Sequence, residues 1–253
     1  MTPASIRSAI ASGALAVSFL TIVPVRARAA WSGEIGPAAA WFPIVGATIG
    51  AIAGGVRAAI DPLVGPVPAT VVALIVGVVL TGGLHQDGLA DAADGLGVRG
   101  GRARRLEVMR DPTVGAFGVL ALIGWALVIV TSVGPLPPGR AVVALTVAAV
   151  VGRLAAVAHA LACRPARTDG LSAAFRPTPA AGAVAAVTGV GLSLALAWPF
   201  GGLVALGAGA VVCLGSVGVA SRRFGGRTGD TLGATVCITE AAVCLALLGV
   251  WHG

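Results

Sequence analysis

Lysine is absent from this chain, and all seventeen basic side chains are arginine. A GC-rich genome is the simplest source of that bias, although arginine's bidentate fork also suits phosphate chemistry. Charge of either sign is scarce: 11% of the 253 residues are charged, while 57% are hydrophobic. With 38 glycines and a mean hydropathy of +0.97, that balance excludes a soluble domain and is typical of a polytopic membrane protein. The formal charge of +7 is therefore no argument for nucleic-acid binding, and none is expected. Cys163, Cys213, Cys237 and Cys244 form no CxxC pair and sit in or beside apolar runs. They read as small packing residues, which excludes a disulfide framework or a zinc site. Internal repeats are also lacking, so residues 1–253 are expected to form a single integral membrane domain.

The gaps between charges are where the helices belong. No charge lies between Arg7 and Arg26, Glu34 and Arg57, Asp61 and Asp87, Asp111 and Arg140, or Arg176 and Arg222. Each gap accommodates a helix of about 20 residues, enough for a hydrocarbon core of about 30 Å. The last holds two helices with a turn at "WPFGG" (198–202). The expected fold is all-α, a bundle of about seven or eight hydrophobic segments, at 8–25, 38–60, 67–84, 115–133, 141–162, 180–198, 203–219 and 231–250. The first is short and carries "TIVPV", which makes a re-entrant or interfacial course open to it. Residues 1–30 mimic a secretory signal ending in "ARA" (27–29), but the weak basic start and the arginines directly after the apolar stretch favour a retained segment.

These segments put the arginines on one side. Arg99, Arg102, Arg104, Arg105 and Arg110 share a loop, Arg164, Arg167 and Arg176 a second, and Arg222, Arg223 and Arg227 a third. Arg26 and Arg28 join them, leaving Arg57 and Arg140 near the opposite face. The rich side is expected in the cytoplasm, with the chain in the cell membrane. Seven acids follow the arginines: Asp87, Asp91, Asp94, Glu107, Asp111, Asp169 and Asp230. Arg153, midway along an apolar helix, is costly there and should face the bundle interior.

Three of the ten acids fall within eight residues, in "GGLHQDGLADAADGLG" (82–97). On a helix, about 100° per residue places Asp91 about 40° and Asp94 about −20° from Asp87. Three carboxylates on one stripe repel one another unless a cation sits among them. Oxygen ligands with waters and substrate phosphates suit Mg²⁺. The bland alternative, a solvated acidic helix end, leaves the flanking Gly82, Gly83, Gly88, Gly95 and Gly97 without a reason. His85, two residues before Asp87, could act as acid, base or phosphate contact. His159 and His252 lack such a context and read as structural.

Further along, "RRLEVMRDPTVGAFG" (104–118) starts amphipathic and puts Asp111 beside a proline where the next helix begins. Asp111 could be only an N-cap or first-turn acid, while the nearby arginines could hold phosphates. "RRFGGRTGDTLGA" (222–234) joins glycines, arginines, the Thr231 hydroxyl and Asp230 at a helix N-terminus, a place that binds anions. Glu240 lies about 15 Å further along that helix, either functional or simply paired with Arg153.

Four stretches, "FLTIVPV" (19–25), "WFPIVGATIGAIAG" (41–54), "TGGLHQDGLADAADGLGVRGGRARRLEVMRDPTVGAFGVLAL" (81–122) and "GGRTGDTLGATVCITEA" (225–241), together resemble the cobalamin synthase family, the adenosylcobinamide-GDP ribazoletransferases. Gln86 stands where that motif more often has an aliphatic residue. The resemblance implies a Mg²⁺-dependent membrane enzyme of the late corrinoid pathway. It would join adenosylcobinamide-GDP to α-ribazole, or its 5′-phosphate, and release GMP. Besides its substrates and the lipid bilayer, a homo-oligomer or other corrinoid-pathway enzymes are conceivable partners. Such chemistry needs two phosphates neutralised and a hydroxyl placed in line. Asp87, Asp91 and Asp94 are then the expected metal ligands, and His85, Arg104, Arg105, Arg110 and Arg227, with Thr231, the pyrophosphate or GMP contacts. Asp111, Asp230 or Glu240 would orient or deprotonate the ribazole hydroxyl, and the sequence does not choose among them.

Rival readings fit less well. "DGLAD" has aspartate where a CDP-alcohol phosphotransferase motif has arginine, and "TGDT" is a poor second aspartate-rich motif for a prenyltransferase. A transporter would spread acids through several helices near the midplane, whereas here all but Glu240 cluster at one face or lie in loops.

Overall fold

A computed structural model of the chain describes residues 3–25, 35–168 and 171–252. Arg26, Arg28, the "ARA" tripeptide and Asp169, all given roles above, lie outside the described residues. The elements are α1 (Pro3–Leu20), a 3₁₀ turn (Gly36–Trp41) running into α2 (Phe42–Val64), α3 (Pro66–Leu80), α4 (Leu84–Gly97) and α5 (Arg102–Val108). They continue with α6 (Ala116–Val133), α7 (Pro138–Ala162), the single turn α8 (Leu171–Ala174), α9 (Pro179–Leu196), α10 (Phe200–Val219) and α11 (Gly229–His252). Among the described residues there is no strand, only an isolated bridge between Pro165 and Arg227. Among the described residues six helical stretches are long and apolar enough to cross a membrane, Gly36–Val64, Ala116–Val133, Pro138–Ala162, Pro179–Leu196, Phe200–Phe224 and Gly229–His252, and the bent pair α3–α4 makes a seventh if it is counted as one span. The all-α membrane bundle expected from the charge gaps is the fold observed.

Two segments depart from expectation. The first helix stops at Leu20, and the "TIVPV" stretch follows as non-helical chain, pinned by Ile22 N–H donating to Leu80 O at 2.9 Å. Pro24 disfavours helix for the residue before it, which explains the early stop. The span expected at 67–84 breaks after Leu80, and α4 departs at 92° to α3. Gly82 (φ 60°) and Gly83 (φ 71°) make the corner, a left-handed backbone that a residue with a Cβ rarely adopts. The right angle takes α4 out of the path of α3, so the two form a bent pair, a broken span or a re-entrant loop, and not one straight span.

α7 is the central helix, packed on α2, α9, α10 and α11, and its buried positions run round the whole cylinder. Lipid gives helices no hydrophobic reason to associate, so small residues that admit close packing take over. Gly46, Gly50 and Gly54 form such a stripe on α2: a Cβ there would come within 2.5, 2.5 and 2.7 Å of α7 backbone.

The polar loops close on one another at a single face. Arg102 Nη2 donates to Ala166 O at 2.7 Å, Arg227 N–H to Arg164 O at 2.9 Å, and Ala166 N–H to Arg227 O at 2.8 Å. These bonds tie the loops after α4, α7 and α10 together, as the arginine distribution required. Arg57 and Arg140 belong to the opposite face: Arg57 donates to Gly134 O and Leu136 O, and Arg140 to Trp251 O.

Candidate active site

The site begins where α4 crosses α11. A Cβ on Gly88 would lie 2.9 Å from both Cα and O of Asp230, and one on Gly233 would meet His85 O at 3.1 Å. Both glycines are therefore required by close approach, and they bring Asp87 and Asp91 against Asp230. Thr228 and Thr231 fix the start of α11 reciprocally: Thr231 N–H donates to Thr228 Oγ1 at 3.1 Å, and Thr228 N–H to Thr231 Oγ1 at 2.9 Å. Two otherwise orphaned backbone donors are satisfied in this way.

A cavity of about 260 Å³ opens beside this crossing. Of the residues singled out from the sequence, His85, Asp87, Arg227 and Asp230 line it. Asp91 sits one turn further along α4. Asp111 and Arg104 are exposed at the surface, and Glu240 lies deeper, behind Arg153. The lining also includes residues whose part the sequence did not reveal: Arg153, Arg167, Thr228 and the mutually stacked Phe19, Phe42 and Phe175. Arg153 was legible as an interior cation but not as a cavity wall. Phe175 carried no signal, since only the fold brings it to Phe19 and Phe42.

The carboxylates are electrostatically strained. Burial, then the charges of Asp87, Asp230 and Asp94, push the Asp91 carboxyl up to about 7. A cation among these groups would remove that penalty. Among the described residues no three His, Cys, Asp or Glu groups converge to hold an ion unaided. Two carboxylates completed by phosphate oxygens and water are nevertheless a normal Mg²⁺ shell, so Asp87 and Asp91, with Asp230 across from them, fit a divalent cation.

Asp94 has a different occupation. Its Oδ2 accepts from Gly115 N–H at 2.7 Å and its Oδ1 from Gly118 N–H at 2.9 Å, so both oxygens cap the N-terminus of α6. A Cβ at Gly115 or Gly118 would come within 2.5 Å of that carboxylate. Sharing a stripe with Asp87 on paper therefore does not give Asp94 the same neighbours. His85 is buried, and its Nε2 has no protein partner. Burial first, and then the Arg153 charge, hold its imidazole well below its usual range, so the ring is neutral.

The arginines divide similarly. Arg104 pairs with Glu107 at 2.9 Å on the surface, and Arg105 donates to Gly95 O and Leu96 O, closing the C-terminus of α4. Neither reaches the cavity. Asp111 accepts from the Thr113 hydroxyl at 2.5 Å and its N–H at 2.9 Å, an Asx turn leading into α6. Those bonds, the hydroxyl's first, hold its carboxyl below the usual range. Arg227 borders the cavity, but its Nε donates to Ala160 O and Cys163 O and its Nη2 to Phe175 O. It shapes the wall by binding the carbonyls of Ala160 and Cys163 at the end of α7 and of Phe175 just after α8. Arg153 Nη1 pairs with Glu240 Oε1, the alternative that the sequence had left open for that acid.

The crossing joins an aspartate helix to a Thr-Gly-Asp helix start beside three arginines, and it is built from the stretches quoted above. The family model for cobalamin-5-phosphate synthase matches residues 12–248. The chain belongs to that family. Adenosylcobinamide-GDP ribazoletransferase of Sinorhizobium medicae is 39% identical over 249 residues, covering 92% of this chain and 94% of its own length. The enzyme of the same name from Chlorobaculum tepidum is 40% identical over 243 residues, covering 93% and 94%, and that of Bradyrhizobium diazoefficiens 38% over 261, covering 95% and 94%. No solved structure matches the chain. Membership of the family makes this chain an enzyme, a transferase of cobalamin biosynthesis, and its helices make it a multi-pass membrane protein.

Proposed function

We propose that this enzyme transfers the cobinamide phosphate of adenosylcobinamide-GDP to a hydroxyl of α-ribazole or of its 5′-phosphate, releasing GMP. The observation that carries this reading is the meeting of Asp87 and Asp230 with Arg153, Arg167 and His85 around one cavity, with Asp91 beside the two acids one turn further along α4. In the reaction a bond forms between the hydroxyl oxygen and the phosphorus bearing cobinamide. The bond from that phosphorus to the bridging oxygen breaks, and GMP leaves with the electron pair. Asp87 and Asp91 would hold Mg²⁺, which supplies charge neutralisation on the pyrophosphate. Asp230 orients the attacking hydroxyl and takes its proton, because Asp111 is engaged at the surface and Glu240 is paired with Arg153. His85, neutral and without a protein partner at Nε2, is available to hydrogen-bond substrate. A cavity this size takes a nucleotide-sized portion, so the corrinoid stays outside at the membrane surface. The arginine-rich face is assigned to the cytoplasm, and the membrane to the cell membrane.

The test is turnover by purified protein in lipid nanodiscs, with adenosylcobinamide-GDP, α-ribazole 5′-phosphate and Mg²⁺. GMP and a corrinoid bearing the nucleotide should appear in equal amounts. GMP accumulating without the joined corrinoid would make the enzyme a hydrolase, and no GMP at all would end this reading.

A further inference from the structure

A second, smaller cavity of about 50 Å³ has walls that are mostly apolar side chains of α2, α3, α6 and α7, yet it gathers polar atoms that no described residue satisfies. Gln86 Oε1, Trp125 Nε1 and Arg153 Nε each belong to a residue in its wall, and each is buried without a hydrogen-bond partner among the described residues. Arg153 is 2% exposed and Trp125 9%, so bulk solvent solvates neither. A buried donor or acceptor left unmade costs more than a made bond returns, and such groups are nearly always paired. Three of them around one small space require a partner inside it. Their chemistry names that partner. Trp125 Nε1–H and Arg153 Nε–H donate and Gln86 Oε1 accepts, so the occupant must accept and donate as well. Glu240, also in the wall, pairs with Arg153 through Nη1, and the two charges offset each other. An added anion would face the carboxylate and an added cation the guanidinium, both at low dielectric. The neutral molecule of this size that does both is water. Each needs on the order of 10–15 Å³, so the cavity takes roughly three. Thr81 and Gln86 also line an open groove that passes the exposed Asp87, which gives water a way in.

We propose that the smaller cavity is a water site, in which roughly three ordered waters join Gln86 of α4, Trp125 of α6 and Arg153 of α7 and hold the Arg153 guanidinium where it also borders the larger cavity. Gln86 and Trp125 are then positioning residues, acting through Arg153 and not on substrate. Glu240 fixes the guanidinium at Nη1 and the waters fix it at Nε, so its plane is set at two points. The water site stands on geometry alone, and only its effect on turnover rests on the transferase reading above.

Proton-detected solid-state NMR of the enzyme in lipid bilayers, with isotope-labelled tryptophan, reads the site directly and needs no turnover. The Trp125 indole signal, identified by its loss in Trp125→Phe, should receive magnetisation from water although the ring is buried. No transfer would mean a dry cavity and would overturn the proposal. Gln86→Met keeps the length of the side chain and removes its amide, so the sign of its effect on the thermal midpoint is a second test. With water in place a bond is lost, and the midpoint should fall by about 2–4 °C. In a dry cavity an unsatisfied oxygen is removed instead, so an unchanged or raised midpoint would overturn the site. Positioning is read by a double-mutant cycle in kcat/KM with Arg153→Lys, which has a methylene where arginine has Nε. Gln86→Met alone should lower kcat/KM by about three- to tenfold, and it should cost nothing further in the Arg153→Lys background. Full activity of Gln86→Met, or losses that multiply in the double variant, would overturn the positioning role. Were the enzyme to release no GMP at all, the transferase reading would fail, while water transfer to Trp125 would still decide the site.

Discussion

Of the three arginines buried among the described residues, Arg57 and Arg153 each pair with a carboxylate, and they do unlike things. Arg57, fully buried, lies 2.7 Å from Asp61 one turn along the same helix, and its Nη2 donates to Gly134 O and Leu136 O beyond α6. Its surroundings are backbone carbonyls that would otherwise go unsatisfied at a helix end. Arg153 pairs across two helices, α7 with α11, and borders both the 260 Å³ cavity and a second one of about 50 Å³ that Gln86 and Trp125 also line. Burial and pairing are common to both and so identify neither. What differs is the neighbour: carbonyl oxygens around the one, space around the other.

The sharpest break of this comparison is Arg57→Met, which strands Asp61 and two carbonyls. Loss of one partner from a buried pair should cost about 3–5 kcal/mol, read as a large fall in thermal midpoint in detergent, while the protein that stays folded keeps its specific activity. Asp87→Asn should give the mirror image. Turnover should fall about 10²- to 10³-fold with an unchanged or slightly raised midpoint, since a developing charge loses its support and a like-charge repulsion is relieved. Equal stability losses in the two variants would erase the distinction between anchor and site.

Asp94→Asn sharpens it further, because the same helix then carries both kinds of acid. Its two bonds to the start of α6 predict a loss of about 1.5–3 kcal/mol in stability, as for hydrogen bonds to a charged group, with a smaller activity defect than Asp87→Asn. An Asp94→Asn enzyme as inactive as Asp87→Asn, yet equally stable, would return Asp94 to the metal. The smallest effect belongs to Arg104→Ala. Its partner Glu107 is 68% exposed, so unfolding should move by less than about 0.5 kcal/mol and kcat/KM should stay at the wild-type value.

The membrane-capable helices were legible because most fall in long stretches with few charges, and the shared face of the polar loops because arginine recurs in them. The break between α3 and α4 was not, although Gly82 and Gly83 stood in plain view: a diglycine permits a corner, but only packing against α11 selects it. His85, Asp87, Asp91 and Asp230 were singled out by residue type and spacing, and the fold brings them to one crossing. Asp94, Arg105 and Asp111 look identical in kind, and hydrogen-bonding geometry alone shows that they close helix ends and turns. Arg167 was hidden for the opposite reason. In sequence it is one of three basic residues in a loop, and nothing marks it as the one that lines the cavity.

The right-angled corner after α3 also sets a depth. α3 has 15 residues and rises about 22 Å, whereas α7 has 25 and the hydrocarbon layer is about 30 Å thick. A helix that short draws its end inward by roughly 8 Å if its other end stays at the far interface. On that condition α4 is a shelf set inward of the ends of the longer helices, with its C-terminal carbonyls closed by Arg105. Thickening the bilayer would stretch that mismatch, so lipid chain length becomes a handle on how far the shelf sinks.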